Sequence, residues 1–163
     1  VVSSRTYNDS PSGTYGQYIS GFDETRALGP GDEARLIQLT SNADFRTNIG
    51  FTNSSEASTR VRVALFDGSG AMLAVFERLI PIGRNVQENQ VFVSRAGATD
   101  VRGGFASVTV LSGQGVIVYG SVVDNLTDDP TTLAMKRDPG HDDQWMAAAA
   151  RRVRACVCPV LIL

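Results

Sequence analysis

The sequence predicts an all-β fold, an antiparallel sandwich of two sheets. Three observations predict it. Apolar and polar residues alternate in several short segments, turns rich in Gly, Pro, Asn, Asp and Ser separate these segments, and no sustained apolar period of 3.6 residues occurs before residue 140. The 163 residues are a usual size for one domain, and such a chain buries a hydrophobic core without disulfides.

The clearest strand covers residues 45–52. Phe45, Ile49 and Phe51 fall on one face, while Arg46 and its alternate neighbours fall on the other. This period of two residues is typical of a half-buried strand. The shorter candidate strands are residues 4–7, 17–19, 35–40, 85–92 and 131–135.

Two hairpins are expected from the turn residues. Residues 60–66 alternate and lead into Asp67-Gly68-Ser69-Gly70, so that residues 71–80 should return as the antiparallel partner. Residues 105–111 should pair in the same way with residues 116–123 across a turn that contains two glycines. The second of these runs is apolar on both faces, which predicts a central strand covered on both sides.

Composition and charge limit the partners. Fifteen basic and 17 acidic side chains give a formal net charge of −2, so no broad positive field is present for a nucleic acid. No apolar run reaches the roughly 18 residues that a membrane-spanning helix needs. The chain begins with Val1 and shows no leader, and we expect a processed product or an excised fragment.

Composition changes after residue 137. We therefore predict a sandwich domain over residues 1–137 and an unrelated tail over residues 138–163, either helical or disordered. Two interpretations of the tail are open. It is either an appended helix that docks on a partner, or a linker or extension that is foreign to the domain. Its cysteines, Cys156 and Cys158, leave the redox compartment undetermined.

Catalytic residues are sparse in the predicted sandwich. A serine nucleophile needs a base, usually histidine, and His141 in the tail is the only histidine. No G-x-S-x-G motif is present. A zinc site would have only His141, Cys156 and Cys158 as its nitrogen and sulfur ligands. This scarcity of catalytic residues favours a protein that is not an enzyme.

The acidic loop at residues 124–130 is the best candidate for a site. Asp124, Asp128 and Asp129 offer hard oxygen ligands that would suit calcium, and a bound ion would allow a small hydrolase acting on an ester or lactone. The other interpretation is a solvated turn in which Asn125 and Asp128 cap their own backbone.

Two further groups of side chains are candidates for a contact surface. Tyr7, Tyr15 and Tyr18 lie among Ser, Gly and Asn, a composition suited to carbohydrate or protein contacts, although tyrosines also pack at the edge of a core. Arg46, Arg60 and Arg62 are expected on the outward faces of neighbouring strands. Their position favours a solvated sheet face over an anion-binding site.

Five segments carry a resemblance to a known class of domain. They are residues 4–8, 16–19, 36–39, the run F-R-T-N-I-G-F-T-N at 45–53, and residues 119–130 with their V-V-D-N-x-T-x-D-P run. In these the chain resembles a bacterial secreted immunoglobulin-like module, over residues 4–137. Such modules occur in tandem or at the ends of large extracellular proteins, some of them hydrolases. The core cysteines and tryptophan of antibody domains are missing, so the resemblance implies a sandwich only.

This resemblance implies a secreted or cell-surface location and a non-catalytic role in adhesion, spacing or accessory binding. The expected partner is a protein or a carbohydrate, and the chain is expected to be a monomer or a weak oligomer. No catalytic residue is carried over from the resemblance.

Overall fold

A computed structural model describes residues 3–11 and 13–137. The tail at 138–163, with His141, Cys156 and Cys158, lies outside the described residues, and so do the side chains of Tyr7 and Tyr15. Within the described part the chain forms antiparallel sheets, as the sequence predicts.

Two sheets form the sandwich, and a hairpin accompanies them. The hairpin pairs β1 (Ser3–Ser10) with β2 (Gly13–Ser20). The four-stranded sheet has the order β10 (Pro130–Ala134), β9 (Val116–Asp124), β4 (Phe45–Asn53) and β7 (Asn85–Glu88). The five-stranded sheet has the order β11 (Lys136–Arg137), β3 (Glu33–Ser41), β8 (Val101–Ser112), β5 (Thr59–Phe66) and β6 (Met72–Ile80).

The core lies between the two larger sheets and takes alternate residues from their strands. Val61, Val63 and Leu65 of β5 are fully buried, and Ile49 and Phe51 of β4 face them from the other sheet. The alternation is the reason why these segments form strands, since each buries one face and leaves the other in water. Phe45 differs from the expectation because β4 carries it past the end of the core, where its exposed fraction is 36%.

The predicted hairpin between β5 and β6 is confirmed. Val63 lies opposite Phe76, and the turn is closed by the carboxylate of Asp67, which accepts hydrogen bonds from the N–H groups of Ser69 and Ala71. An aspartate that binds backbone two residues further on is the usual stabiliser of such turns.

The second predicted hairpin was wrong. Strands β8 and β9 belong to different sheets, because the chain crosses the sandwich at Gly113 and Gly115, which have φ angles of 81° and 77°. Val116 then pairs with Asn53 of β4 and not with β8. Strand β9 is central, as expected. Of its outward residues, Ser121 and Val123 are buried, whereas Ile117 and Tyr119 are half-buried.

The segment predicted as a strand at 85–92 is divided. Strand β7 ends at Glu88, and a short helix α1 (Val91–Ala96) follows. Gln90 adopts left-handed angles that end the extended run, and its N–H donates to Asn48 Oδ1 at 2.9 Å. The helix buries Val91 and Phe92 and stops at Gly97, again in the left-handed region that favours glycine.

The three arginines expected on one solvated face lie on opposite sheets. Arg46 is on β4, whereas Arg60 and Arg62 are on β5 and both pair with Glu77 of β6. The expectation of neighbouring strands was wrong because β4 and β5, although consecutive, enter different sheets.

In the described residues no helix is long and apolar enough to cross a membrane.

Candidate functional site

The candidate site is the loop surface at one end of the sandwich, which we call the loop end. It comprises the β3–β4 loop at residues 42–44, the β9–β10 loop at residues 125–129, and the adjoining Phe45, Arg46 and Val93. The two loops meet because β4 and β9 are paired along their whole length, with Phe45 opposite Asp124. Residues about 80 positions apart in the sequence are thereby brought together.

Asp124 forms the base of the β9–β10 loop. Its Oδ1 accepts hydrogen bonds from the N–H of Leu126 at 2.7 Å and of Thr127 at 2.9 Å. These bonds, first that of Thr127 and then that of Leu126, lower the pKa of the Asp124 carboxyl below its ordinary value of 3.8. The residue that caps the local backbone is therefore Asp124, and not Asn125 or Asp128 as the turn interpretation held.

Arg46 holds the loop from the neighbouring strand. Its guanidinium donates to Asn125 Oδ1 at 2.9 Å and to Asp128 Oδ1 at 2.7 Å. Asp128 has a positive φ of 59°, in the left-handed region that Asp and Asn adopt more readily than most residues other than glycine. The ion pair with Arg46 then fixes its side chain.

Asn125 joins the β9–β10 loop to the β3–β4 loop. Its side-chain amide donates to Ala43 O at 3.0 Å, and its backbone N–H donates to Asp44 O at 2.8 Å. Asn42 closes the second loop, because its Oδ1 accepts from the N–H groups of Asp44 and Phe45, each at 2.9 Å. The loop end is consequently a cross-linked polar frame with a fixed shape.

This frame presents apolar side chains to solvent. Leu126 is 93% exposed at the tip of the loop, and Phe45 and Val93 are also exposed. A groove of about 510 Å³ runs beside Leu126, lined by Ala43, Asp44, Phe45, Asp124 and Asn125. A second groove of about 330 Å³ lies on the other side of Phe45, against α1.

The three aspartates proposed for calcium have different partners. Asp124 binds backbone N–H groups, Asp128 pairs with Arg46, and Asp129 Oδ1 accepts from the N–H of Gly16 at 3.2 Å. Within residues 3–11 and 13–137, no three His, Cys, Asp or Glu side chains are grouped so as to hold a metal ion. Calcium binding by Asp124, Asp128 and Asp129 stays a prediction.

Sequence reasoning missed the roles of Arg46, Asn42 and Leu126. An arginine inside an alternating strand has the pattern of an ordinary solvated residue, and its bond to Asp128 depends on the pairing of β4 with β9.

Of the tyrosines, Tyr18 is exposed on β2. That hairpin contacts the edge strand β10, where Gln17 donates to the hydroxyl of Thr132.

No protein family and no curated protein matches the chain. Among solved structures, it is similar to the crystal structure of Thermotoga maritima 1070, with a TM-score of 0.49 and 10% identity, over 68% of this chain and 94% of that one. This likeness carries no information about activity.

Proposed function

We propose that the chain is a non-catalytic, extracellular immunoglobulin-like module that binds a partner protein through its loop end. The observation that carries the proposal is Leu126, which is 93% exposed on a loop held by Asp124, Asn125 and Arg46. Leu126 shares a groove with the exposed Phe45, and a group of apolar side chains presented to water on folded loops is a feature of binding surfaces.

The fixed shape of the loop supports this proposal. Ordering a mobile loop on binding costs about 0.5–1.5 kcal/mol for each immobilised side chain. The hydrogen bonds to Asp124 and Asn125 hold this loop before any partner arrives, so less of that cost is incurred on association. Burial of Leu126 and Phe45 would then contribute most of the affinity.

The chemistry beside Leu126 indicates the kind of partner. The groove combines the ring of Phe45 with the carboxylates of Asp44 and Asp124. An apolar centre with an acidic rim suits a protein surface that presents an apolar side chain flanked by basic or amide groups. The sites with the largest effect on binding should be Leu126 and Phe45, with smaller effects at the rim.

A site-specific photo-crosslinker tests the proposal. We would place the crosslinking residue at position 126 and, as a control, at position 79 on the exposed outer face of β6, and expose the domain to the surface proteins of the producing cells. We expect a discrete adduct from position 126 that Phe45→Ala abolishes. Equal adducts from both positions, or none from position 126, would overturn the proposal.

The extracellular location is tested separately. Antibody against the domain should label intact producing cells, or detect the domain in the medium. Detection only after the cells are lysed would contradict that part of the proposal and leave the loop-end contact as a separate question.

A further inference from the structure

At the centre of the outer face of the four-stranded sheet, a tyrosine ring lies over a glycine. Tyr119 of β9 lies opposite Gly50 of β4, and a Cβ atom at Gly50 would come within 2.0 Å of Tyr119 Cζ. The ring therefore lies across the backbone of β4, in the space that any other residue at position 50 would fill. Its hydroxyl reaches β7, at 3.3 Å from Asn85 Oδ1 and 3.4 Å from Gln87 Oε1.

The side chains around this ring are amides and hydroxyls. Asn85 also donates to the hydroxyl of Thr52 at 2.8 Å, and Gln87 donates to Asn89 at 2.7 Å, so both amides are held in place. The outward sheet positions around the ring are Asn85 and Gln87 on β7, Asn48 and Thr52 on β4, Ile117 and Ser121 on β9, and Thr132 and Ala134 on β10. None of these eight residues is charged. Ser121 is buried and Thr132 is bonded to Gln17 of the hairpin, so the open part of the face lies toward β4 and β7.

The outer face of the five-stranded sheet, in contrast, carries charged side chains. It bears Arg60 and Arg62 on β5, Glu77 on the edge strand β6, and Glu33 and Arg35 on β3. The four-stranded sheet also bears an outward charge, Arg46, but it lies four residues from Gly50 along β4 and is paired with Asp128. The face around Tyr119 is complementary to a neutral ligand that combines apolar C–H surfaces with many hydroxyl groups.

We propose that the outer face of the four-stranded sheet binds a neutral polysaccharide, with one sugar ring stacked on Tyr119. The face of an aromatic ring carries a partial negative charge that attracts the C–H groups of a pyranose. Asn85, Gln87 and Thr52 then hydrogen-bond its hydroxyl groups from fixed positions. Tyr18, on the hairpin that contacts β10, is also exposed, and its backbone carbonyl accepts a hydrogen bond from the Thr132 hydroxyl at this edge of the sheet.

This proposal concerns a surface other than the loop end and stands independently of the proposed function. The direct test is affinity electrophoresis of the full chain in gels that contain cellulose derivative, xylan, mannan, β-1,3-glucan or starch, followed by calorimetry with the matching oligosaccharide. We expect retardation by at least one of these polymers. Retardation by none of them overturns the proposal, and so does binding of an acidic polymer or a protein on this face in their place.

Three variants locate the binding. Tyr119→Ala should weaken association about tenfold, the size of one aromatic contact. Tyr119→Phe keeps the ring and should retain binding close to that of the parent. Gly50→Ala displaces the end of the ring while leaving Tyr119 in the sequence, so it should weaken binding as Tyr119→Ala does, and it decides the matter if Tyr119→Ala fails to fold.

Leu79→Ser, on the outer face of the other sheet, is the matched control and should bind like the parent. Equal affinity of the parent, Tyr119→Ala and Gly50→Ala would overturn the proposal. Loss of sugar binding in Leu126→Asp, with Tyr119 intact, would also overturn it, because the ligand would then belong to the loop end.

Discussion

The carboxylate of Glu88 accepts two hydrogen bonds from the guanidinium of Arg95, at 3.0 Å from Nε and 2.6 Å from Nη2. Only 8% of the Glu88 side chain is exposed, and Arg95 also stacks on the ring of Phe76, 4.7 Å from its centroid. Arg78 Nε lies 3.2 Å from the other carboxylate oxygen but is not aligned for a hydrogen bond. Arg95 is therefore the stronger partner.

Glu88→Gln should lower the free energy of unfolding by about 1–2 kcal/mol, because a neutral amide cannot balance two arginines at a buried position. Glu77→Gln is the matched control. Its carboxylate pairs with Arg60 and Arg62 at the surface, where ion pairs contribute about 0–1 kcal/mol. Urea unfolding measures both, and equal losses would contradict the assignment of Glu88.

The acid dependence of stability should reveal the hydrogen bonds of Asp124. Because the folded pKa of its carboxyl is lowered, its stabilisation is present above the unfolded value near 3.8 and is lost as the pH falls through the folded pKa. Asp124→Asn cannot titrate. The parent should exceed this variant in unfolding free energy at neutral pH, and the difference should shrink below pH 3.8.

The measurement is urea unfolding over a pH series, combined with an NMR titration of the carboxyl groups. Asp67→Asn should behave in the same way, because the Ser69 hydroxyl and the N–H of Ala71 lower the pKa of Asp67. A difference between the parent and Asp124→Asn that stays constant with pH would show that the carboxylate is not preferentially charged in the folded state.

Calcium should leave the melting temperature unchanged. A ligand that binds the native state raises stability, but Asp124, Asp128 and Asp129 have different partners, and no metal-binding group of side chains is formed within the described residues. We would compare melting in chelator with melting in millimolar calcium. A rise with calcium that Asp129→Asn removes would establish the site predicted from the sequence and would reopen the metal-dependent hydrolase.

Local segments of this fold are predictable and their partners are not. The alternation of Val61, Val63 and Leu65 determines a strand and its buried face, and Asp67 determines the turn that follows. The turn at Gly113 looks the same in sequence as a hairpin turn. Its glycine is required because a Cβ there would come within 2.5 Å of Thr59 Oγ1, a contact with another part of the chain.

The candidate site, too, could be predicted only as a local segment and not from its contacts. Composition alone indicates the acidic loop, but the groups that hold it come from a strand and a loop some 80 residues earlier. They are the guanidinium of Arg46 and the backbone carbonyls of Asn42 and Ala43. A single sequence contains no sign of that pairing. The exposure of Leu126 was hidden for the same reason, since an isolated leucine in a loop is as compatible with burial as with exposure.

Gly113→Ala should destabilise the domain by about 2–3 kcal/mol, from a left-handed φ combined with a steric overlap. Gly70→Ala is the matched control. Its φ of 89° is just as unfavourable, but a Cβ there meets nothing within 4 Å, so about 1 kcal/mol should be lost. Thermal or urea unfolding distinguishes them. Equal losses would mean that the chain crosses between the sheets with more room than the contacts of Gly113 allow.

Leu126→Asp should separate binding from stability. Because the side chain is 93% exposed, replacing it should change the free energy of unfolding by less than about 0.5 kcal/mol. Leu39→Ala, at a fully buried position, should cost about 2–5 kcal/mol in the same assay. If Leu126→Asp unfolded the domain as readily as Leu39→Ala, the leucine would be part of the core and the loop end would lose its apolar contact. Unchanged stability, together with lost association with the partner that the crosslinker at position 126 identifies, would place the function of Leu126 in association.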